Sequence, residues 1–209
     1  MKSPHLFPAT LVLFLLFLAG SLMAATTEHP GSIPIFLGLD SVRKELGLTK
    51  SQRGQLDKIR SEFKSDVRLI TARTPASQVE KSAANSTVKA LVARYNEKAV
   101  AVLTPAQHAR LVQIEHQTLG GLMLFLPAEQ KLLGLTAGQI ATITKIRSAG
   151  EAFASRIAGT FEKGAITLQE RLAALRNYRL KQSDKCLRVL TPAQRKTFES
   201  LQGPKPGKA

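Results

Sequence analysis

From Gln52 onward the apolar residues Leu56, Ile59, Phe63, Val67 and Ile70 return every three or four positions, with Lys58, Arg60, Glu62, Lys64 and Arg68 between them. That period predicts a helix with one apolar face and one solvated face. The same rhythm runs through Ile143, Ile146, Phe153, Ile157 and Phe161, although Gly150 and Gly159 lower the intrinsic helicity there. Partner helices are predicted from Val88, Val92, Tyr95, Ala99 and Val102, and from Leu168, Leu172 and Leu175. The breaks between partners fall at "RTPAS" and at "EKGAITLQE". No strict apolar–polar alternation competes, so the expected fold class is all-α.

The helix starts carry their own signal. "LTPAQ" begins at Leu103 and again at Leu190, and looser copies, "LTKSQ" and "LTAGQ", begin at Leu48 and Leu135. In the frame Leu-Thr-x-x-Gln the threonine caps the amide of the third helical residue, while the glutamine there reaches back to the threonine amide. Thr49 with Gln52, Thr104 with Gln107, Thr136 with Gln139, and Thr191 with Gln194 are therefore predicted capping boxes. Leu48, Leu103, Leu135 and Leu190 precede them as apolar staples. Pro105 and Pro192 fall at the first helical position, where a missing amide costs nothing. Thr167 with Glu170 makes a further box.

Spacing organises these signals. Thr49 to Thr136 and Thr104 to Thr191 are both separations of 87 residues, and the two motifs of each pair stand 55 apart. The same shift superposes Leu46-Gly47-Leu48 on Leu133-Gly134-Leu135 and Lys58-Ile59-Arg60-Ser61 on Lys145-Ile146-Arg147-Ser148. Such a fixed period is the mark of a tandem duplication. Each unit reads as a helical hairpin followed by a short third helix, over residues 44–117 and 131–202, with an N-terminal segment at 26–43 and a buried apolar joint at 118–130. One hairpin cannot bury both amphipathic stripes, so the two copies are expected to pack on each other as a pseudo-dimer.

Residues 1–25 hold an early lysine, an apolar run from Leu11 to Ala19 and small residues at Ser21, Ala24 and Ala25. They are expected to be a secretory signal peptide, cut after Ala24 or Ala25. The run is short for a membrane anchor, and "GGLMLFLP" at 120–127 is far below the ~20 apolar residues that cross a bilayer. Export to a bacterial periplasm or beyond follows as the expectation. Cys186 is the single cysteine, so no intramolecular disulfide is possible. As the repeat partner of Ala99, it is expected to be a small buried helix residue, with an intermolecular disulfide as the alternative. "NST" at 85–87 fits a glycosylation sequon that has meaning only in a eukaryotic secretory route. The basic, Pro/Gly-rich residues 203–209 are expected to be a disordered tail.

Charge adds a functional constraint. The chain carries a net +15, with 13 Lys+Arg against 7 Asp+Glu in 44–117 and 13 against 5 in 131–204. An excess of this size attracts anionic partners: acidic protein segments, or anionic envelope components such as lipid headgroups and lipopolysaccharide. Arg171, Arg176, Arg179, Lys181, Lys185 and Arg188 share one predicted helix with only Glu170 and Asp184, and form the candidate basic binding face. Few aromatic residues and no nucleic-acid module are present, so nucleic acid is not an expected partner.

Paired Leu-Thr-x-x-Gln motifs opening helices in a small, basic, exported chain resemble the Spy/CpxP-type periplasmic proteins, the LTxxQ family. The resemblance rests on the twelve leucines, threonines and glutamines of the four motifs. It implies helical-hairpin chaperones or modulators of envelope stress, some of which bind metal, and typically two chains interlocked into a basic cradle for unfolded clients. A homodimer is thus one possibility. "RKELGLT" and "QKLLGLT" also resemble phrases in exported bacterial tandem-repeat proteins. On this footing the motif residues are structural caps and not a binding site.

No phosphate loop, nucleophile elbow or paired catalytic carboxylates occur, so no enzymatic activity and no cofactor are expected. His108 and His116 are eight residues apart, too far to share one ion, and Glu115 beside His116 is expected to point elsewhere. No metal site is assigned. The function expected is an exported, non-enzymatic binding protein of the chaperone or stress-modulator kind. The alternatives are a basic structural protein docked on the cell envelope and, third, a metal-responsive periplasmic sensor.

Overall fold

A computed structural model describes residues 33–72 and 78–205. The expected signal peptide, His5, His29, the "RTPAS" break, the side chain of Asn85 and the last four residues lie outside that description. The described chain is all-α, as its periodicity predicts. In order the elements are α1 (Ile33–Phe36), α2 (Asp40–Glu45), α3 (Lys50–Thr71), α4 (Gln78–Val100), α5 (Pro105–Leu119), a 3-10 segment (Gly120–Phe125), α6 (Pro127–Leu132), α7 (Ala137–Glu162), α8 (Leu168–Arg188) and α9 (Pro192–Leu201). None of the described helices is long and apolar enough to cross a membrane.

Contacts cluster into two compact units, Met1–Thr104 and Pro105–Ala209. The division falls inside the 44–117 stretch, so α5 belongs to the second unit. In the first unit α3 and α4 pair as the hairpin, with α1 laid against both. The stripe read from the sequence is the one buried: Leu56, Phe63 and Val67 of α3 and Val88, Tyr95 and Ala99 of α4 are all buried, and Phe63 and Val67 pack with Val88 and Tyr95 in one cluster. Phe63 and Tyr95 meet edge to face with ring centres 5.5 Å apart, a geometry favoured by the ring quadrupoles. The Tyr95 hydroxyl donates to Asp66 Oδ2 at 2.9 Å, which satisfies the one polar atom of a buried ring. Asn96 is also buried, and its Oδ1 accepts from the Ile33 amide at 2.9 Å, fastening α1 to α4.

The second unit pairs α7 with α8 and lays the 3-10 segment over them. The predicted break is a tight turn, with Gly164 at φ 70° and α8 opened by the Thr167–Glu170 capping box. Phe153 of α7 stacks on Tyr178 of α8 at 4.1 Å. Gly150 marks a close approach: a Cβ there would collide with the Gln182 carboxamide, whose Nε2 donates to the Ile146 carbonyl at 2.8 Å. The positions 87 residues earlier are Phe63 and Tyr95. One unit fills this level of its hairpin with two rings, and the other with a glycine and a glutamine.

The 118–130 stretch has more structure than an apolar joint. Met123, Leu124 and Leu126 are buried as expected, but the segment has a counterpart at 33–43. Leu39 and Leu126 share φ near −83° and ψ near 126°, each opening a short helix. Those helices end on Gly47 and Gly134, at φ 58° and 59°, the left-handed conformation that glycine adopts without a Cβ penalty. Arg43 Nε donates to Leu37 O at 2.6 Å and Gln130 Nε2 to Leu124 O at 2.8 Å, again 87 apart. Arg43 also pairs with Asp57 at 2.5 Å. The bond to Arg43 holds the Asp57 carboxyl below its ordinary range against the opposing effect of burial, and Arg60 adds to the lowering.

Candidate functional site

The Leu-Thr-x-x-Gln motifs begin helices as predicted. Capping boxes at Thr49–Gln52, Thr136–Gln139 and Thr191–Gln194 have both reciprocal bonds, and α5 starts at Pro105 directly after Thr104. The glutamines do more than close the box. Gln52 Nε2 donates to Val102 O at 2.9 Å, and Gln139 Nε2 to Val189 O at 2.9 Å. Each acceptor lies two residues before the next motif threonine, so the first motif of a pair grips the end of the helix that precedes the second.

In the second unit this grip is mutual. Gln139 Nε2 reaches Gln194 Oε1 at 2.7 Å, Gln194 Nε2 reaches Gln139 Oε1 at 3.2 Å, and Gln194 Nε2 also lies 3.3 Å from the carbonyls of Leu133 and Gly134. Two carboxamides thus face one another while each oxygen holds its own cap amide. The bracket joins residues 55 apart in sequence at the open end of the α7–α8 hairpin. Its chemistry is structural, since every donor and acceptor is spent inside the protein. Of the motif leucines, Leu48 and Leu190 are buried, and Leu103 and Leu135 half-buried.

The six bases of the candidate face all lie on α8, but they do not form one stripe. Arg176, Lys181, Lys185 and Arg188 are exposed, whereas Arg171 and Arg179 are half-buried. Arg171 lies over the Phe161 ring at 4.9 Å, and Arg188 pairs with Asp184 at 2.6 Å. Arg179 falls in the seam of α8 with Leu175, Gln182 and Cys186, where burial pushes its pKa down. Leu180 is 62% exposed among these bases. At ~100° per residue, Arg176, Arg179 and Leu180 share one side of α8, and Lys181, Lys185 and Arg188 lie ~120–180° round from Arg176.

Cys186 is fully buried, as is Ala99 at the position 87 residues before it. Burial pushes the thiol up to about 12, so it is neutral and inert at ordinary pH.

One pair was not legible from the sequence. His116 of α5 is buried, its Nδ1 is 2.8 Å from Val112 O, and its Nε2 is 3.1 Å from Glu129 Oε1 of α6. Phe198 of α9 lies against the imidazole at 5.8 Å. Burial pushes the His116 pKa down, but the bond to Glu129, the Val112 carbonyl and the charges of Glu129 and Glu115 together outweigh it and raise the net value. Glu129 had fallen in the stretch read as an apolar joint. Among the described residues, no group of three or more His, Cys, Asp or Glu is arranged to hold a metal ion.

Taken with the fold, these features define an all-α, strongly basic protein with a helical hairpin in each of its two units. Comparison with family models, curated proteins and solved structures found no match to the chain.

Proposed function

We propose that this chain is an exported, non-enzymatic helical binding protein of the Spy/CpxP type, a chaperone or a modulator of envelope stress, built by tandem duplication. The N-terminal 25 residues support export. Contacts that recur at a shift of 87 residues, from the Gly47 and Gly134 turns to the Gln52 and Gln139 amides, support the duplication. The observation that carries the binding function is the surface of α8, where Leu180 stands exposed beside Arg176, with Lys181 and Lys185 exposed further round the helix. Bases in water speed encounter with anionic chains, and an exposed apolar side chain holds the segment that arrives.

Light scattering from an aggregating, unfolded model client tests this reading, with and without the purified exported chain, at low and high salt. Suppression that weakens with salt is expected. Absence of suppression at both salts refutes the chaperone function. Binding to anionic vesicles or lipopolysaccharide in its place would assign the basic surface to envelope docking.

A further inference from the structure

Arg176, Arg179 and Leu180 form an i, i+3, i+4 triangle on α8, with Arg179 about 60° to one side of Arg176 and Leu180 about 40° to the other. Neither guanidinium has an ion-pair or hydrogen-bond partner among the described residues, whereas Arg188 on the far side is already engaged by Asp184. Arg179 is partly withdrawn from water in a seam whose corresponding residue in the first hairpin is Val92. A guanidinium placed there loses hydration without gaining a carboxylate, and retains five donors in a planar fork.

The same stripe of α8 is covered further along. Ser183 and Leu187 follow Arg176 at two and three turns, and there the 3-10 segment closes in. The Gly121 amide donates to Ser183 Oγ at 2.8 Å, and a Cβ on Gly121 would collide with the Ser183 carbonyl and the Leu187 side chain. Toward the N-terminal end of α8 the stripe emerges as two unpaired arginines beside an exposed leucine.

We propose that this triangle is the seat for an acidic side chain of a bound polypeptide segment, with Leu180 taking an apolar residue next to it. The inference rests on the client-binding function and names the chemistry that function selects: a carboxylate adjacent to a large apolar side chain in an extended or unfolded segment. Bidentate pairing of a guanidinium with a carboxylate supplies the polar half of recognition. Leu180 supplies the apolar half. A flat anionic surface is a poorer fit, because Lys181 and Lys185 face nearly the opposite direction and would not lie in one plane with Arg176.

Fluorescence anisotropy of an unstructured peptide alternating Glu and Leu, against a Gln-for-Glu copy, tests the seat. The Glu peptide is expected to bind at least several-fold more tightly than the Gln peptide. Arg176→Gln and Leu180→Gln are each expected to weaken it roughly ten-fold. Both positions are exposed, so far-UV circular dichroism and Tm should not move. Arg179→Lys keeps the charge and loses the fork, and is expected to weaken the Glu peptide selectively. Lys181→Gln with Lys185→Gln serves as the control on the far side. Equal weakening by that control reduces the effect to net charge and overturns the proposal, as does equal affinity for the two peptides. Binding of anionic vesicles that depends on Arg176 while the peptides do not bind overturns it in favour of a lipid headgroup. If aggregation is suppressed but Arg176→Gln and Leu180→Gln leave suppression intact, this seat fails and the client-binding function stands. If the wild-type chain neither suppresses aggregation nor binds the peptides, both fail.

Discussion

Raising the pH should loosen the second unit through His116. The Val112 carbonyl oxygen at 2.8 Å accepts from Nδ1, so that nitrogen carries a proton. Nε2 then faces the Glu129 carboxylate at 3.1 Å, and the favourable state is an imidazolium with two oxygen partners. The side chains are 2% and 10% exposed, so neither is screened by water. The folded-state pKa of His116 is raised, against ~6.5 in an unfolded chain. The stabilisation is therefore fully present below about pH 6.5 and is lost as pH rises through the folded-state value. His116→Leu alone leaves Glu129 buried without its cation and should cost about 3–5 kcal/mol, the range for breaking a buried pair from one side. His116→Leu combined with Glu129→Leu removes both charges and should cost far less, because a desolvated pair contributes little net stability. Urea unfolding followed by circular dichroism from pH 5.5 to 9.5 provides the assay. Wild type should lose stability relative to the double variant across the alkaline half of that range. A difference between the two that stays flat, or grows with pH, would rule out this coupling.

Other perturbations test the packing. Gln139→Ala should cost about 2 kcal/mol, more than Thr136→Ala at about 1 kcal/mol, because the glutamine joins Val189 and Gln194 as well as its own cap; denaturant melts would show the order. Gly150→Ala should destabilise despite the ~1 kcal/mol that alanine gains in a helix, and Gln182→Ala in the same chain should restore stability by removing the collision. Cys186 should remain unmodified by a thiol reagent such as dithionitrobenzoate under native conditions and react once urea unfolds the chain, since burial holds the thiol near 12.

Helix starts were the most legible part of the fold because a cap is local: Thr49, Thr136 and Thr191 need only a residue three positions on. The buried stripes were legible for the same reason, as Leu56, Phe63, Val67 and Ile143 follow a period set by one helix. What sequence did not disclose involves partners at long separation. The amide of Gln139 finds Val189 and Gln194, 50 and 55 residues away, and nothing local marks its Nε2 for a distant partner. His116 meets Glu129 because α6 returns beside α5, whereas the Met123 to Leu126 run masked an acid only three residues further on. The counterpart of that run had a signal after all, in Leu37 and Leu39 standing 87 before Leu124 and Leu126. The bases of α8 were found as a set, but their division between two sides depends on which residues α7 and the 3-10 segment cover. Arg179 has helical spacing with the core residues Leu175, Gln182 and Cys186, a pattern in which an arginine is readily mistaken for a solvent residue.

Whether this chain holds unfolded polypeptide on the outer surface of α8 can be read by site-specific cross-linking. A photo-reactive amino acid is placed at Leu180 and separately at the exposed Ala141 of α7, and each chain is irradiated with an unfolded client. Client cross-links from position 180 that decline with salt, and few from 141, are expected. Equal labelling from both positions, or none from 180 while the client is bound, would contradict binding at this surface.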